Sequence, residues 1–570
     1  SLDPTFGAGG LVWTNISIQP GGADKFNEVT KDRAHALLLQ PDGRLVAGGF
    51  ASCCNSGGTE DFALTRYNPD GSLDPSFGGD GIVRTDFLGI FTDDEIYGMA
   101  LQPDGKIVAV GRAETNDRLG TYDYAVARYN ATSGAPATPT PTPLTTPTPA
   151  ATPTPGGGSA GGLQYYPLPS PVRLFDTRPG QPACSNKGSA MAAGSTYAVA
   201  ARVACAGLPA AAVSVVGHVT VINNLQGAGP GFVTLFPGGS QRPTVSNINY
   251  ASGQVLSNAF GVGLGADGSF SIYAHSTTDL LIDVVGYYAP PGAGGLYFHP
   301  LPRPVRLLDT RIGQAACDAP GAPVPAGGAR AQLARTACDG LVIPDDALAL
   351  AGNAAVVNDE AGASAGFLTF YPSGAQRPVV SNMTYAAGQV ISSAFTTTLG
   401  ADGRFQIYAH STVNVIVDVT GYYSASALPD ANGSAGLLYR ALPAPFRLLD
   451  TRAGEPACHN PAAPLSGGTA FKQQAEGTCG ATSVPAGAEA VTGNATVVNT
   501  AAGAGFGYVT LYPSEAERPL VSNINYVPGQ ALSNSFTVRL GADGAFSIYV
   551  LSTTHYITDL TGYFVPTPPN

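Results

Sequence analysis

The chain has 570 residues, only 12% of them charged, and it contains 73 glycines and 47 prolines. This composition is typical of turn-rich β-proteins, and the length predicts several domains, each large enough for its own hydrophobic core. The net charge of −12 includes no basic stripe, which argues against nucleic acid as a partner. No apolar run in the sequence is long enough to span a bilayer.

Residues 1–134 contain two copies of a short repeat. SLDPTFGAGGLV at 1–12 returns as SLDPSFGGDGIV at 72–83, and ALLLQPDGRLVAGG at 36–49 returns as GMALQPDGKIVAVG at 98–111. Apolar runs beside Asp-Gly or Gly-Gly turns predict short antiparallel strands. The unit resembles the delta-60 repeat of bacterial secreted proteins, which implies a propeller-like or stacked β array without known chemistry. Because repeat arrays usually need three or more units to bury a continuous core, we expect upstream residues or another chain to complete this head.

Residues 135–162 form a Pro/Thr-Gly linker without a charged residue. Alternating Thr-Pro favours extended polyproline II and cannot form a core, so residues 136–155 would span about 60 Å. We expect this linker to be a spacer that packs against a neighbouring subunit. Its threonines are candidate acceptors for O-linked glycans, namely Thr138, Thr140, Thr142, Thr148 and Thr154.

The rest of the chain is one module written three times, at 163–290, 295–424 and 436–566. The first copy contains PVRLFDTR, RPTVSNINY, GADGSFSIYAHST and DVVGYY, and close variants of all four return in the other copies. Strands are predicted in the first copy at 171–177, 196–203, 213–222, 231–236, 244–250, 255–264, 269–274 and 279–288. Eight strands with tight turns predict a jelly-roll-like β-sandwich, so the whole chain is expected to be all-β.

These motifs resemble a repeat of secreted and cell-wall-associated bacterial proteins, whose pattern runs from RLLDTR through SNxNY to DxxGYY. All three copies carry the whole pattern. The resemblance implies an extracellular accessory or structural module. It implies no activity, because the repeat occurs both in enzymes and in non-enzymatic surface proteins.

Six of the eight cysteines fall in pairs that are 21 residues apart, with one pair in each module. This recurrence predicts one disulfide per module and therefore an oxidising, extracellular setting, whereas a zinc site would need four ligands with short spacings. The predicted bridges are Cys184–Cys205, Cys317–Cys338 and Cys458–Cys479. The adjacent Cys53 and Cys54 could form a vicinal disulfide, an intersubunit bond or separate pairs.

The RLxDTR stretch places two arginines around one aspartate in every module. One interpretation is a carboxylate–arginine site for a sugar or a partner. We favour the other, a structural network that holds the first strand, with Arg242, Arg377 and Arg518 of the RP motif as further members. The nine residues of the predicted network are Arg173, Asp176, Arg178, Arg306, Asp309, Arg311, Arg447, Asp450 and Arg452.

Two other patterns have a functional and a structural interpretation. His275-Ser276 and His410-Ser411, with Asp283 and Asp418 downstream, could be assembled into a hydrolytic triad, but the third copy has Leu551 and no nucleophile elbow accompanies them. We expect them to be turn residues at a strand end. The aromatic pairs that end each module, such as Tyr287-Tyr288, could stack on sugars, but we expect them to be core residues.

We expect no cofactor from the sequence, and Ca²⁺ is the one alternative that its acidic loops suggest. Ca²⁺ binds several carboxylate and carbonyl oxygens, and two acidic loops of the head offer them without the EF-hand spacing. The candidate ligands are Asp70, Asp74, Asp80, Asp93 and Asp94. Asp-Gly turns explain most of these residues, so we expect no metal.

The sequence as a whole favours an extracellular, non-catalytic structural protein. We expect a self-assembling subunit of a bacterial surface filament, sheath or coat, with three sandwiches in a row and the head or linker of one subunit docked head-to-tail on the next. The alternative is an adhesin or carbohydrate-binding surface protein whose modules bind cell-surface glycans. No sequence motif indicates an enzyme.

Overall fold

The structure is a computed structural model that forms two compact units, residues 1–147 and 148–570. The described residues are 2–3, 5–14, 16, 32–40, 42–52, 60–87, 93–102, 106–114, 122–130, 162–225, 228–359, 362–480, 482–500 and 505–567. Across these ranges, all secondary structure is β except one 3-10 turn at Ala204–Ala206. The predicted all-β class is therefore confirmed. None of the described segments is a helix long and apolar enough to cross a membrane.

The N-terminal unit consists of two antiparallel sheets that correspond to the two sequence repeats. The first has the strand order β1-β2-β3-β4 and the second has the order β5-β6-β7. Both repeats carry a β-bulge at the same place in their first strand, between Ala34 and Ala36 and between Ile96 and Gly98. The strands are β1 (Asp32–Leu39), β2 (Leu45–Ser52), β3 (Glu60–Tyr67), β4 (Ile82–Thr85), β5 (Asp94–Leu101), β6 (Ile107–Glu114) and β7 (Tyr122–Tyr129).

The two sheets of this unit share one apolar core, and the repeated glycines allow its tight strand pairing. Val46, Phe62, Ile96 and Ile107 are fully buried in it. A Cβ on Gly111 would lie 1.7 Å from the Glu95 carbonyl oxygen, and Gly49 has the same constraint in the first repeat. The Gly of each VAGG or VAVG run is therefore required by close backbone approach.

The second unit contains three modules, called module 1, module 2 and module 3 in chain order. The strands of module 1 are β8 (Gln164–Asp176), β9 (Ser185–Asn186), β10 (Ser195–Ala200), β11 (Ser214–Ile222), β12 (Gly231–Pro237), β13 (Ile248–Tyr250), β14 (Val255–Gly263), β15 (Ser269–Ala274) and β16 (Asp279–Ala289). The strands of module 2 are β17 (Tyr297–Asp309), β18 (Ala329–Leu333), β19 (Ala337–Cys338), β20 (Leu341–Val342), β21 (Ala349–Asn358), β22 (Gly366–Pro372), β23 (Met383–Tyr385), β24 (Gln389–Thr398), β25 (Arg404–Ala409) and β26 (Asn414–Ser424). The strands of module 3 are β27 (Leu437–Asp450), β28 (Thr469–Gln474), β29 (Gly477–Cys479), β30 (Thr482–Val484), β31 (Ala490–Asn499), β32 (Gly507–Pro513), β33 (Ile524–Tyr526), β34 (Gln530–Arg539), β35 (Ala545–Val550) and β36 (His555–Pro566).

Each module is a sandwich of two sheets whose long strands pair antiparallel, and in module 1 the short β9 pairs with β8 in parallel. In module 1 one sheet has the order β10-β15-β12-β13, and the other has the order β14-β11-β16-β8-β9. Alternate residues of both sheets point inward and fill the core with Val, Ile, Leu and Phe, as period-two strands require. The last strand of each module, β16, β26 or β36, pairs with the first strand of the same module.

The first strands of the three modules also pair with one another. Leu163 of module 1 exchanges backbone hydrogen bonds of 2.8 and 2.9 Å with Tyr439 of module 3. Tyr165 of module 1 exchanges bonds of 2.9 and 2.8 Å with Leu296 of module 2. The first strands of modules 2 and 3 pair directly, so that one eight-stranded sheet runs through both modules. Each module therefore contacts both others, and the three form a closed ring.

This closure corrects the expected arrangement of three sandwiches in a row. The segment between modules 2 and 3, residues 425–435, is held by specific hydrogen bonds. Asp430 accepts hydrogen bonds from the backbone nitrogen atoms of Asn432 and Ser434 and from the Tyr422 hydroxyl. His299 lies against the same segment, within hydrogen-bond distance of two of its carbonyl oxygens. The segment is thus built into the ring.

Candidate functional site

The DTR motif forms a buried ion network inside each module. In module 1 the Asp176 carboxylate is fully buried. It accepts three hydrogen bonds from Arg178: one from the backbone nitrogen at 2.9 Å, one from Nε at 3.0 Å and one from a terminal guanidinium nitrogen at 2.7 Å. Arg173 donates to both oxygens of Asp283 on β16, at 2.8 and 3.0 Å. The hydroxyl oxygen of Thr177, which lies between Asp176 and Arg178 in the chain, accepts a hydrogen bond from the Leu280 backbone nitrogen. The motif therefore ties the first strand of the module to its last.

Modules 2 and 3 repeat this network residue for residue. Arg306 and Arg447 pair with Asp418 and Asp559 at 2.9 Å, just as Arg173 pairs with Asp283. Burial raises the pKa of Asp559 to about 6, although Arg447 opposes that shift. The pairs within the motif are Arg311–Asp309 and Arg452–Asp450, both at 2.7 Å. All nine residues of the predicted network thus lie in Asp–Arg contacts, with the last-strand aspartates as additional members.

The same last-strand aspartates also connect one module to the next. The Ser381 backbone nitrogen of module 2 donates to Asp283 of module 1 at 3.2 Å. Ser522 of module 3 donates to Asp418 of module 2 at the same distance. Ser246 of module 1 donates in turn to Asp559 of module 3, which closes the cycle.

The Asn of each SN dipeptide acts within its own module. The side-chain oxygens of Asn247, Asn382 and Asn523 each accept a 2.7 Å hydrogen bond from the central strand of the smaller sheet. The serine of this motif therefore joins modules, whereas the asparagine oxygen binds within its own module. In module 2 the Asn382 amide nitrogen also lies 3.5 Å from Nδ1 of His218 in module 1.

A second set of polar contacts crosses each module interface at equivalent positions. Asn258 of module 1 donates to the side-chain oxygen of Asn494 of module 3 at 3.0 Å, and Asn534 of module 3 donates to Asn353 of module 2 at 2.7 Å. The interface between modules 1 and 2 differs, because His218 occupies the place of the Asn353 and Asn494 side chains. Its Nε2 lies 3.2 Å from the Ala394 carbonyl oxygen.

Six aromatic rings, two from each module, close the centre of the ring of modules. They are Tyr165, Tyr288, Phe298, Tyr423, Tyr439 and Phe564. The shortest ring contacts join different modules, since the Tyr288 and Tyr439 centroids are 4.1 Å apart, whereas those of Tyr165 and Tyr288 within module 1 are 5.5 Å apart. The Tyr288 and Tyr423 hydroxyls lie 3.0 Å apart. Tyr288, Tyr423 and Phe564, the second ring of each predicted aromatic pair, are buried as expected, but the core they occupy lies between modules, and Tyr287 is only half-buried.

The arginines of the RP motif do not join the Asp–Arg network as expected. Arg242 instead lies over the Tyr273 ring at 3.8 Å, and Arg377 and Arg518 lie over Tyr408 and Tyr549 at 4.0 and 3.9 Å. The guanidinium stays exposed while its partner ring is covered, which is the usual geometry of a cation–π contact at a surface. Each module therefore presents one Arg–Tyr pair on its outer face.

The His-Ser pairs do not assemble a hydrolytic triad. His275 stacks on Phe232 with the ring centroids 4.9 Å apart, and Ser276 donates to the Gly229 carbonyl oxygen. Asp283 is bound to Arg173 and to module 2. In module 3 the equivalent serine makes the same contact without a preceding histidine. The serine is therefore a turn residue in all three modules.

The structure contains a disulfide in each module, between the cysteines that lie 21 residues apart. The bridges are Cys184–Cys205, Cys317–Cys338 and Cys458–Cys479, each with a Cα–Cα distance of 5.5 Å. Cys53 and Cys54 lie outside the described residues, as do the five linker threonines.

The acidic residues proposed for calcium are not brought together as one site. Asp70 and Asp80 accept hydrogen bonds from the backbones of Ser72 and Ile82, two residues on, as turn-forming aspartates do. Asp74 is buried in ion pairs with Arg44 and Arg66 at 2.9 and 2.8 Å. Asp93 accepts from the Glu60 backbone nitrogen.

Asp94 is the exception among these acidic residues. It lies with Asp61 and Asp86 in a cluster whose carboxylate oxygens are within 4.8 Å of one another. No sequence motif marks this cluster, because its members lie at three different strand ends.

A family model matches the N-terminal unit. It describes a beta-propeller domain of unknown function, DUF5122, and it covers residues 40–77 and 102–136. These two segments each include the QPDG turn and strands of one repeat, so the model treats each repeat as one unit. No curated protein matches the chain.

Solved structures resemble the chain only at the level of β-architecture. A chain from the triple jelly roll fold and turret assembly of an archaeal virus is 9% identical, with 71% of this chain and 97% of that chain covered and a TM-score of 0.15. A tandem CBM22 domain of Paenibacillus barcinonensis Xyn10C is 12% identical, with 47% and 100% covered and a TM-score of 0.13. Likenesses of this size imply nothing about function.

Proposed function

We propose that the chain is a non-catalytic, extracellular structural protein whose three modules form one preassembled block of a bacterial surface filament, sheath or coat. The observation that carries this proposal is the use of the repeated polar motif. In all three modules the Asp and Arg side chains and the serine backbone bind one another within the ring. Because the residues of this recurring motif bind one another and hold the modules together, the motif favours a structural role over a catalytic one.

An extracellular location is supported by the disulfides. One bridge per module fits an oxidising compartment, where such bonds form and persist. We further propose that the modules are members of the secreted and cell-wall-associated repeat that they resemble, and that the head is a delta-60-type array.

Assembly with neighbouring subunits is supported by the outer surface of the ring. Ile312, Val379, Leu520 and Phe506 are 84, 79, 76 and 74% exposed, and burial of such apolar area against another molecule is favourable. Contacts with a neighbouring copy would remove these side chains from solvent. In this proposal the head or linker of one subunit docks on the ring of the next.

Sedimentation velocity of the native, unreduced protein tests this assembly. Polymers that grow with protein concentration are the expected result. A single monomeric species at all accessible concentrations would contradict assembly as the main role. Replacement of Leu520 and Val379 by Asp should shift the distribution towards monomer, whereas replacement of Asp402, an exposed turn residue, by Asn should not.

The glycan-binding alternative is favoured by a different observation. A half-exposed aromatic side chain lies next to the tyrosine of each Arg–Tyr pair. It is Phe232 beside Tyr273 in module 1 and Tyr508 beside Tyr549 in module 3. Such surfaces stack on sugar rings, and three copies on one rigid ring would bind a repeating glycan multivalently. Retention of the protein on immobilised cell-wall glycans, lost on Tyr273→Ala, would support this function.

A further inference from the structure

The carboxylate cluster of the head lies where the two repeats meet. Asp61 is in β3, Asp86 follows β4, and Asp94 begins β5. The first two residues belong to the first sheet and Asp94 belongs to the second. Anything held by all three carboxylates would therefore tie the two sheets together.

The burial of Asp94 is difficult to explain without a ligand. Its side chain is fully buried, at 0% exposure. One carboxylate oxygen accepts a hydrogen bond from the Phe87 backbone nitrogen at 3.0 Å, and the nearby Glu114 backbone N–H also lowers the pKa of this carboxyl group. No described residue donates to the other oxygen, Oδ1, in hydrogen-bond geometry. A buried acceptor without a partner is costly, and a buried charge without compensation more so.

The surroundings of the cluster are acidic. Burial raises the pKa of Asp61 to about 6, and the charges of Asp86 and Asp94 add to this shift while Arg84 opposes it. The pKa of Asp94 is raised in the same direction, again mainly by burial. Three carboxylates with oxygens within 4.8 Å repel one another unless a positive charge lies between them.

We propose that Asp61, Asp86 and Asp94 bind one divalent cation, and that this cation is Ca²⁺. All three ligands supply hard oxygen atoms, which Ca²⁺ and Mg²⁺ prefer, whereas Zn²⁺ favours His and Cys. Ca²⁺ accepts six to eight oxygens in irregular geometry, so backbone carbonyls and water complete its shell more easily than they complete the octahedron of Mg²⁺. The bound cation stabilises the contact between the two repeats.

Titration calorimetry of the full chain tests the site. After dialysis against chelator, CaCl₂ should bind with one site per chain and a Kd of about 1 mM or tighter, the range of extracellular calcium modules. Asp61→Asn and Asp86→Asn should each weaken that binding by about tenfold or more. Asp70→Asn and Asp80→Asn are matched controls in the same unit, because both carboxylates only form turns, and they should leave the affinity unchanged.

Unfolding measurements distinguish a variant that has lost the cation site from a variant that does not fold. Asp86 is exposed, so Asp86→Asn should fold. In chelator, Asp61→Asn should be at least as stable as the parent chain, because it removes a repelling charge. Added Ca²⁺ should protect the backbone amides of β3 and β5 from hydrogen exchange in the parent chain and in the controls, but not in the cluster variants. Absence of a binding heat with CaCl₂, or equal affinity in cluster and control variants, would overturn the proposal.

Discussion

The carboxylate of Asp418 in module 2 accepts a 3.2 Å hydrogen bond from the backbone nitrogen of Ser522 in module 3. Asp418 is nearly fully buried and also binds Arg306 of its own module. The DxxGYY and SNxNY motifs therefore meet across a module boundary, and the same pairing recurs at the other two interfaces. A motif that is local in the sequence closes the ring in the structure.

Asp418→Asn should destabilise the ring by about 3 kcal/mol, because it removes the closest charge partner of the largely buried Arg306 guanidinium and leaves only the longer, 3.6 Å pair with Asp309. Urea denaturation gives the free energy of unfolding. Asp402→Asn is the control, since Asp402 is exposed in an Asp-Gly turn and keeps its turn-forming oxygen as Asn. Equal midpoints for the two variants would show that the buried network is not important for stability.

The stability of the ring should depend strongly on the volume of the six central aromatic side chains and only weakly on their hydroxyl groups. Tyr288→Ala should cost about 3–5 kcal/mol, because the cavity is left between modules where relaxation is restricted. Tyr288→Phe should cost only about 1 kcal/mol, the worth of its hydrogen bond with Tyr423. Phe564 already occupies the equivalent place in module 3. Similar losses for both variants, measured by urea denaturation, would contradict this packing.

His218 should make the interface between modules 1 and 2 acid-sensitive. Burial lowers its pKa from 6.5 to about 4, so the unfolded state binds the proton more tightly than the folded state. The stability is fully present above pH 6.5 and is lost as the pH falls towards 4, by about 3 kcal/mol. Denaturant unfolding at several pH values should show this loss in the parent chain.

The double variant His218→Asn/Ser393→Asn provides the control for that experiment. It recreates the Asn–Asn pair found at the other two interfaces, between Asn353 and Asn534 and between Asn494 and Asn258. Because Asn does not titrate, the difference in stability between the parent chain and the variant should shrink on acidification. A difference that stays constant from neutral to acidic pH would show that His218 is not the titrating group.

The disulfides should be separable module by module. Cys317→Ser should destabilise module 2 by about 3 kcal/mol, because the bridge closes a loop of 21 residues in the unfolded chain. Thiol titration of the variant under denaturing conditions should find one more free thiol than in the parent chain, at Cys338. Six free thiols from the modules of the unreduced parent protein would contradict the three bridges.

The sequence predicts several strands well, because turns bound their apolar runs. The interval 171–177, however, covers only the second half of β8 (Gln164–Asp176), and 244–250 contains only the short β13 (Ile248–Tyr250). The interval predicted at 255–264 forms β14 at Val255–Gly263, and 279–288 forms β16 at Asp279–Ala289. The cysteine pairs were also visible, because one repeated spacing specifies them. Local patterns of this kind contain the whole signal.

The ring was not predictable from the same patterns. Nothing in the identity of Asp283 or Ser381 tells whether they meet within one module or between two, since both motifs recur in every copy. The Asp61, Asp86 and Asp94 cluster was missed for a related reason. The sequence pattern indicates candidate metal ligands only where acidic residues are close in the chain, whereas the register of three strands brings this cluster together.

The three modules close on themselves and form one block. Negative-stain electron microscopy of the native, unreduced protein tests it most directly, because three lobes around one centre differ in projection from three beads on a line. We predict compact three-lobed particles, either single or as the repeating unit of a polymer. Particles with three separated lobes in a row would contradict the ring and the structural role that rests on it.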